Sequence, residues 1–291
     1  MKLLQFIFLL IRRGSLNQKP FDFESRRREL IDSLSLGDTI ATSNTHRKGS
    51  RRLWKIPAVY SLMASLSYFR DRHEMNKMFY VSHSHRVIYV RILKAGGTSI
   101  LAEFSRLMNS NLNVVSLSDE QIDALGYYLR TTNLPDGNYK KFTIVRDPYQ
   151  RIVSVYLDLF DKSSQVFSYA SYWFGILERD MSFKDFIKVI SKIPISLLGP
   201  HFSPQYWILK EMPDIKVFRM ENDKKELTAF LQEYGIDLKH RNKNSTAYDY
   251  RTYYDKETFE LVRKLYAGDV ERFGYEAEES KLKEALGLLS N

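Results

Sequence analysis

Arg86-Val-Ile-Tyr-Val-Arg-Ile-Leu-Lys-Ala-Gly-Gly-Thr-Ser99 is the stretch whose reading decides the fold of this chain. Its apolar run from Val87 to Leu93 has the length of a buried strand, and Ile100-Leu-Ala-Glu-Phe-Ser-Arg-Leu107 has the pattern of a helix. Lys94-Ala-Gly-Gly-Thr-Ser99 joins the two. Strand, glycine turn and helix N-terminus together make an anion cradle, with backbone N–H groups and the positive end of the helix dipole facing the ligand. Gly96 and Gly97 permit positive φ and a close backbone approach. In the nucleotide-triphosphate loop G-x-x-x-x-G-K-S/T the lysine follows the glycines, whereas Lys94 precedes them. The loop therefore suits a phosphate-like group without matching the ATP or GTP pattern. Taken alone, it is equally compatible with a tight turn carrying a solvent lysine.

A second segment repeats the design. Lys140-Lys-Phe-Thr-Ile-Val145 is a short strand that runs into Arg146-Asp-Pro-Tyr-Gln-Arg-Ile-Val-Ser-Val-Tyr156. Asp147 suits a helix cap and Pro148 its first turn, while Ile152, Val153 and Tyr156 have the spacing of a buried face. Ser154 lies seven residues past Asp147, two helical turns on, and so on the same side as the capped end. Arg146 offers a fork of donors for a phosphate, and Ser154 a hydroxyl. An Arg146 paired with a carboxylate and an ordinary helical Ser154 are the bland alternatives.

These two segments resemble the sulfotransferases that use 3′-phosphoadenosine 5′-phosphosulfate (PAPS), in particular the carbohydrate type called sulfotransferase family 2. Lys94, Ala95, Gly96, Gly97, Thr98 and Ser99 are similar to that family's 5′-phosphosulfate loop, and Arg146 through Ser154 to its 3′-phosphate site. Pro200-His-Phe-Ser-Pro-Gln205 is similar to its H-F/W-x-P-Q element, and Ile215-Lys-Val-Phe-Arg-Met-Glu-Asn222 to its short strand followed by a glutamate. Arg241-Asn-Lys-Asn-Ser-Thr246 resembles the basic loop that closes over the nucleotide, which implies roles for Arg241, Lys243, Asn244 and Ser245. Tyr266-Ala-Gly-Asp-Val-Glu-Arg-Phe-Gly-Tyr275 resembles the ending of the domain, so the likeness runs collinearly from Arg86 to Tyr275. Two departures stand out. Ile92-Leu93 replaces the Val-Pro that often precedes the lysine, and no histidine lies between Leu101 and Phe142, where several relatives carry one taken as the base.

The resemblance implies a P-loop-like nucleotide-binding fold and transfer of a sulfuryl group from PAPS to a hydroxyl of a carbohydrate, such as a surface polysaccharide or glycolipid. By analogy with phosphoryl transfer, a loose in-line transition state leaves the protein mainly positioning and electrostatics to supply. Lys94 then neutralises the departing phosphate oxygen, with Gly97, Thr98 and Ser99 donating hydrogen bonds to the 5′-phosphate. The leaving group is a monophosphate, so no metal is expected. His201 is the first candidate for the base, since imidazole titrates near neutrality; anchoring its own loop is the equal alternative. Glu103 and Glu221 are reserves, and His83 and His85 read as edge residues of the first strand.

Composition bounds the rest. The 291 residues make one large domain or one domain with additions. The chain has no Cys, which excludes disulfides, thiolate metal sites and a cysteine nucleophile, and fits a reducing cytoplasm better than a secretory lumen. Residues 1–55 read as a basic extension, with twelve Lys and Arg against five Asp and Glu. Such a field favours acidic membrane surfaces or anionic glycans, or is simply a solvated face. Nucleic acid is disfavoured, because no recognised module or interleaved aromatics accompany the charge. Leu3-Leu-Gln-Phe-Ile-Phe-Leu-Leu-Ile11 falls short of the roughly 20 apolar residues of a membrane span. With Arg12 and Arg13 it reads either as a buried helix or as one lying peripherally on the inner membrane face.

Residues 56–291 then hold the sulfotransferase-like domain. Helical patterns cover Ser61 to Arg72, Asp119 to Arg130, Phe183 to Ile193 behind Ser182, Asp223 to Tyr234, Glu257 to Tyr266 and Glu276 to Leu289. Strands separated by helices predict an α/β fold, a mostly parallel central sheet with flanking helices and ligands at the carboxyl ends of the strands. Phe167, Tyr169, Tyr172, Trp173 and Phe174 are available to stack on sugars or to fill a core. Two rivals remain at this level. One is a small-molecule kinase, since Phe142 to Asp147 resembles a strand ending in a metal-binding aspartate. The other is a non-catalytic basic surface-binding protein.

Overall fold

The computed structural model describes residues 78–108, 113–114, 116–131, 133–160, 177, 181–238 and 248–288. The proposed N-terminal extension, the Ser61 to Arg72 helix, the aromatic run from Phe167 to Phe174 and the Arg241 to Ser245 loop lie outside them. Strands β1 (Phe79–Ser82), β2 (Val87–Val90), β3 (Lys140–Val145) and β4 (Lys216–Arg219) form a sheet in the order β1-β2-β3-β4. β1 runs antiparallel to β2, and β2, β3 and β4 run parallel, with Val90 opposite Thr143 and Val145 opposite Arg219. The sheet is therefore mixed, its parallel part matching the expected fold class.

The helices are α1 (Thr98–Met108), α2 (Asp119–Leu129), α3 (Pro148–Phe160), α4 (Phe183–Ile190), α5 (Gln205–Ile208), α6 (Lys224–Glu233), α7 (Lys256–Phe273) and α8 (Glu276–Ala285). Alternation along the strands distributes them into two layers. Tyr89, Phe142, Ile144 and Phe218 point to one face, against Leu101, Phe104, Ile122, Leu125 and Phe230 of α1, α2 and α6. Ile88, Val90 and Val145 point to the other, against Ile152, Phe186, Val262 and Tyr266 of α3, α4 and α7. Buried on both sides, the strands fix their register strongly, and the turns after Val90, Val145 and Arg219 emerge at one end of the sheet.

Several boundaries differ from the sequence reading. β2 ends at Val90, so Arg91 to Leu93 belong to the loop. α7 continues beyond Tyr266, whose φ of −111° and ψ of 18° put a kink in the helix there, and stops at Gly274 with φ of 71°. β1 is a strand the sequence pattern does not announce, because four residues hold too little alternation to read.

Candidate functional site

The first loop is held open by strain and by missing side-chain volume. Lys94 has φ of 63°, a left-handed conformation that costs a non-glycine residue on the order of 1–3 kcal/mol. Three contacts hold it: Arg151 Nε donates to Leu93 O at 3.0 Å, Arg146 Nη1 to Lys94 O at 3.3 Å, and Lys94 Nζ lies 3.1 Å from Asp158 Oδ1. Gly96 has φ of 76°, and Met220 Sδ would lie 2.8 Å from an added Cβ. Gly97 serves a different need from the positive φ anticipated for both glycines: a Cβ there would sit 1.9 Å from the Tyr89 hydroxyl oxygen. α1 starts directly after this turn, with no acidic residue in its first turn. Its orphan N–H groups and dipole are thus left for an anion.

At the tip of β3 the backbone of Arg146 is clamped from both sides. Arg146 N donates to Gln205 Oε1 at 2.9 Å, and Gln205 Nε2 donates back to Arg146 O at 2.8 Å. The guanidinium reaches Lys94 O, and its Nε is buried with no hydrogen-bond partner among the described residues. An orphaned buried donor next to an anion loop is what a phosphate oxygen would satisfy. Asp147 caps α3 by accepting from Tyr149 N at 2.9 Å. Its own N–H donates to Glu221 Oε1, and Tyr275 Oη donates to Glu221 Oε2. Burial, with Glu221 adding like charge, raises the Asp147 carboxyl to about 7.

One face of α3 organises the remainder. Arg151, Ser154 and Asp158 recur at helical spacing, and Arg151 and Asp158 touch Leu93 and Lys94, so Ser154 lies between them on the loop side. Arg151 is fully buried and also donates to the carbonyls of Pro200, His201 and Ser203 at 3.1–3.2 Å. Tyr266 Oη donates to Phe202 O at 2.8 Å. Asp269 accepts from Gln205 N at 3.0 Å and from Tyr206 N at 2.8 Å, and burial raises its carboxyl to about 6. His201 is thereby carried beside Lys94. Burial, then Lys94 and Arg151, push its imidazole down to about 3, so it is neutral at physiological pH.

The profile of the sulfotransferase family matches residues 77–276, a span that holds the whole sheet, both loops and the Phe273-Gly-Tyr275 ending. The chain belongs to the sulfotransferase family. No curated protein and no solved structure matches it.

In this sulfotransferase fold, Lys94, Ala95, Gly96, Gly97, Thr98, Ser99, Arg146, Ser154 and His201 gather at the carboxyl ends of β2 and β3. Arg241, Lys243, Asn244 and Ser245 lie outside the described residues. Glu103 is 1% exposed and its carboxylate is held by Arg106, with Arg106 Nε at 2.9 Å. His83 and His85 sit in the turn between β1 and β2, at the opposite end of the sheet, where His83 Nδ1 lies 2.8 Å from Tyr139 Oη. Sequence reasoning passed over Arg151, Asp158, Gln205 as a clamp, and Asp123, which pairs with Arg91 at 2.6 Å. The i, i+3 and i, i+7 spacing of Arg151, Ser154 and Asp158 along α3 was the available signal.

Proposed function

We propose that this sulfotransferase-family chain takes PAPS as its donor and transfers the sulfuryl group to a carbohydrate hydroxyl. The observation that carries the donor is the pairing of two anion-holding features on adjacent parallel strands. One is the Lys94 loop with the N-terminus of α1, which has no acidic residue in its first turn; the other is Arg146 with its orphaned Nε and Ser154. Two cradles suit a donor with phosphates at both ends of its ribose, the 5′ end at Lys94 through Ser99 and the 3′ end at Arg146 and Ser154. Arg241, Lys243, Asn244 and Ser245 would close over the same nucleotide.

Lys94 in this reading neutralises the bridging oxygen as the bond to sulfur breaks, and the α1 amides stabilise the phosphate that leaves. This reading calls for no metal, because the 5′ end that departs is a phosphate monoester rather than a polyphosphate. The carbohydrate acceptor rests on the resemblance to sulfotransferase family 2. A cytoplasmic site of action, with peripheral contact at an acidic inner membrane face and no nucleic-acid partner, rests on the missing cysteines and the basic first 55 residues.

Thermal-shift titration is the test. Adenosine 3′,5′-bisphosphate should raise the melting temperature, whereas Mg-ATP, the ligand of a kinase, should not. Arg146→Ala should weaken adenosine 3′,5′-bisphosphate by about tenfold or more, the worth of one charged hydrogen bond, and by more than it weakens adenosine 5′-phosphate, which feels only the lost contact to Lys94 O. Equal weakening of both nucleotides would reject the 3′ site. Lys94→Ala should abolish transfer from labelled PAPS while the chain still melts cooperatively.

A further inference from the structure

A sulfuryl acceptor must lose its hydroxyl proton as it attacks, and a general base has first to be within reach of that proton. We propose that Asp158 is this base, held by Lys94 until the donor arrives. The proposal rests on the sulfuryl-transfer reading above.

Among the described residues, the other titratable groups around the loop are committed or sealed off, Asp147 and Asp269 by full burial. Burial first, then the cations Lys94, Arg151 and Arg91, oppose the imidazolium that His201 would become. Glu103 is sealed in the core beside Arg106. Both oxygens of Glu221 are engaged, by Asp147 N and Tyr275 Oη. Asp123 is bonded to the Arg91 guanidinium. Asp158 keeps about a third of its side chain exposed, and its one ion pair among the described residues is with Lys94, the lysine at the reacting bond.

Its position in the helix is informative as well. Asp158 lies in the last turn of α3, which has no basic residue to balance it. A carboxylate at that end opposes the helix dipole, typically by 0.3–1 kcal/mol, so neither capping nor dipole accounts for it. Contact with Lys94 does. Ser154 precedes it by one turn of the same helix, so a donor spanning Arg146, Ser154 and Lys94 would pass beside Asp158, which is in contact with that lysine.

Donor binding competes for the same ammonium. Lys94 leaves Asp158 Oδ1 for the bridging oxygen, and the freed carboxylate stands next to the sulfuryl group. The acceptor hydroxyl oxygen then bonds to sulfur while the bond from sulfur to the bridging oxygen breaks. The hydroxyl proton passes to Asp158, and the electron pair of the broken bond stays on adenosine 3′,5′-bisphosphate, opposite Lys94. When that product leaves and Asp158 returns its proton to water, the pair re-forms.

The test uses the full chain with labelled PAPS, and both water and a panel of chondroitin and desulfated heparin as acceptors. Asp158→Asn should lower sulfuryl release by about 100-fold or more, the usual range for a lost base. Its affinity for adenosine 3′,5′-bisphosphate should be unchanged or tighter, because a negative charge beside the anion site is gone. Asp158→Glu should restore part of the rate. A purely structural Asp158 would not separate turnover from nucleotide affinity in this way. The proposal is overturned if Asp158→Asn turns over like the parent while binding the nucleotide, or if His201→Gln or Asp123→Asn loses more. It is overturned too if the parent chain binds adenosine 3′,5′-bisphosphate but passes sulfate to neither water nor glycan. A parent chain that fails to bind that nucleotide overturns the donor reading, and this proposal with it.

Discussion

Gly97 and Tyr89 are coupled through space that only one of them can occupy. The Tyr89 hydroxyl is buried, has no hydrogen-bond partner among the described residues, and would meet a Cβ on Gly97 at 1.9 Å. Gly97→Ala must therefore push the loop or the ring, at a cost of about 1–3 kcal/mol, and with it weaken adenosine 3′,5′-bisphosphate. Tyr89→Phe removes a polar atom with nothing to bond, so by itself it should leave stability equal or slightly higher. Combined, the two changes should recover much of the loss, because the next ring atom, Cζ, lies at 3.1 Å. Urea unfolding of the four-member cycle measures this, with an expected coupling of about 0.5–3 kcal/mol. Additive losses would place the strain elsewhere. Lys94 shows the complementary case, a side chain kept in a conformation that glycine would adopt more readily, with its ammonium against Asp158.

Among the elements, α3 carries the site and the segment from Pro200 to Gln205 hangs from it. Arg151 gives that segment three of its hydrogen bonds and gives the loop before Lys94 one, all from a single guanidinium. Lysine has no such fork. Arg151→Lys and Arg151→Met should each destabilise the fold, the latter by about 2–4 kcal/mol, since buried carbonyls lose their donor while the cost of burying the charge is relieved. Both variants should also loosen Lys94 and His201 together, seen as weaker adenosine 3′,5′-bisphosphate binding along with a lower melting temperature. Loss of stability with unchanged nucleotide binding would show that Arg151 serves packing alone. No periodicity could have disclosed this role, because the four carbonyls lie 49 to 58 residues away in sequence. Local signals did disclose β3, whose bounds, Lys140 and Val145, match the apolar run, and the start of α3 at Pro148 behind its Asp147 cap. The end of α7 escaped although Val270 and Phe273 continue the apolar spacing past Tyr266; the stretch from Tyr266 to Tyr275 reads as the domain's ending, while the helix runs on through the kink at Tyr266.

For the whole molecule, the parallel topology concentrates charge at one end of the sheet, and the pH dependence of folding follows from that. Alternating strands and helices made the α/β class legible, but not which acids burial would leave protonated. Asp147 and Asp269 are both fully buried there, raised from 3.8 to about 7 and about 6. In each case the folded chain holds a proton that the unfolded chain has already released. Proton linkage then lowers stability as pH rises, from about 4 up to the folded-state value, and levels off above it. His201 works in the opposite sense. Depressed from 6.5 to about 3, it leaves the unfolded chain with the extra proton, so its contribution is lost as pH falls through that interval. Asp147→Asn retains an oxygen to accept from Tyr149 N but cannot ionise. Its melting temperature should therefore gain on the parent as pH is raised from about 5 to about 8. His201→Gln should gain on the parent only as pH is lowered from about 6.5 toward 4. Thermal melts of the three chains across this range check both slopes. Parallel curves for Asp147→Asn and the parent would mean that Asp147 is ionised in the fold, with its unpartnered oxygen satisfied by solvent.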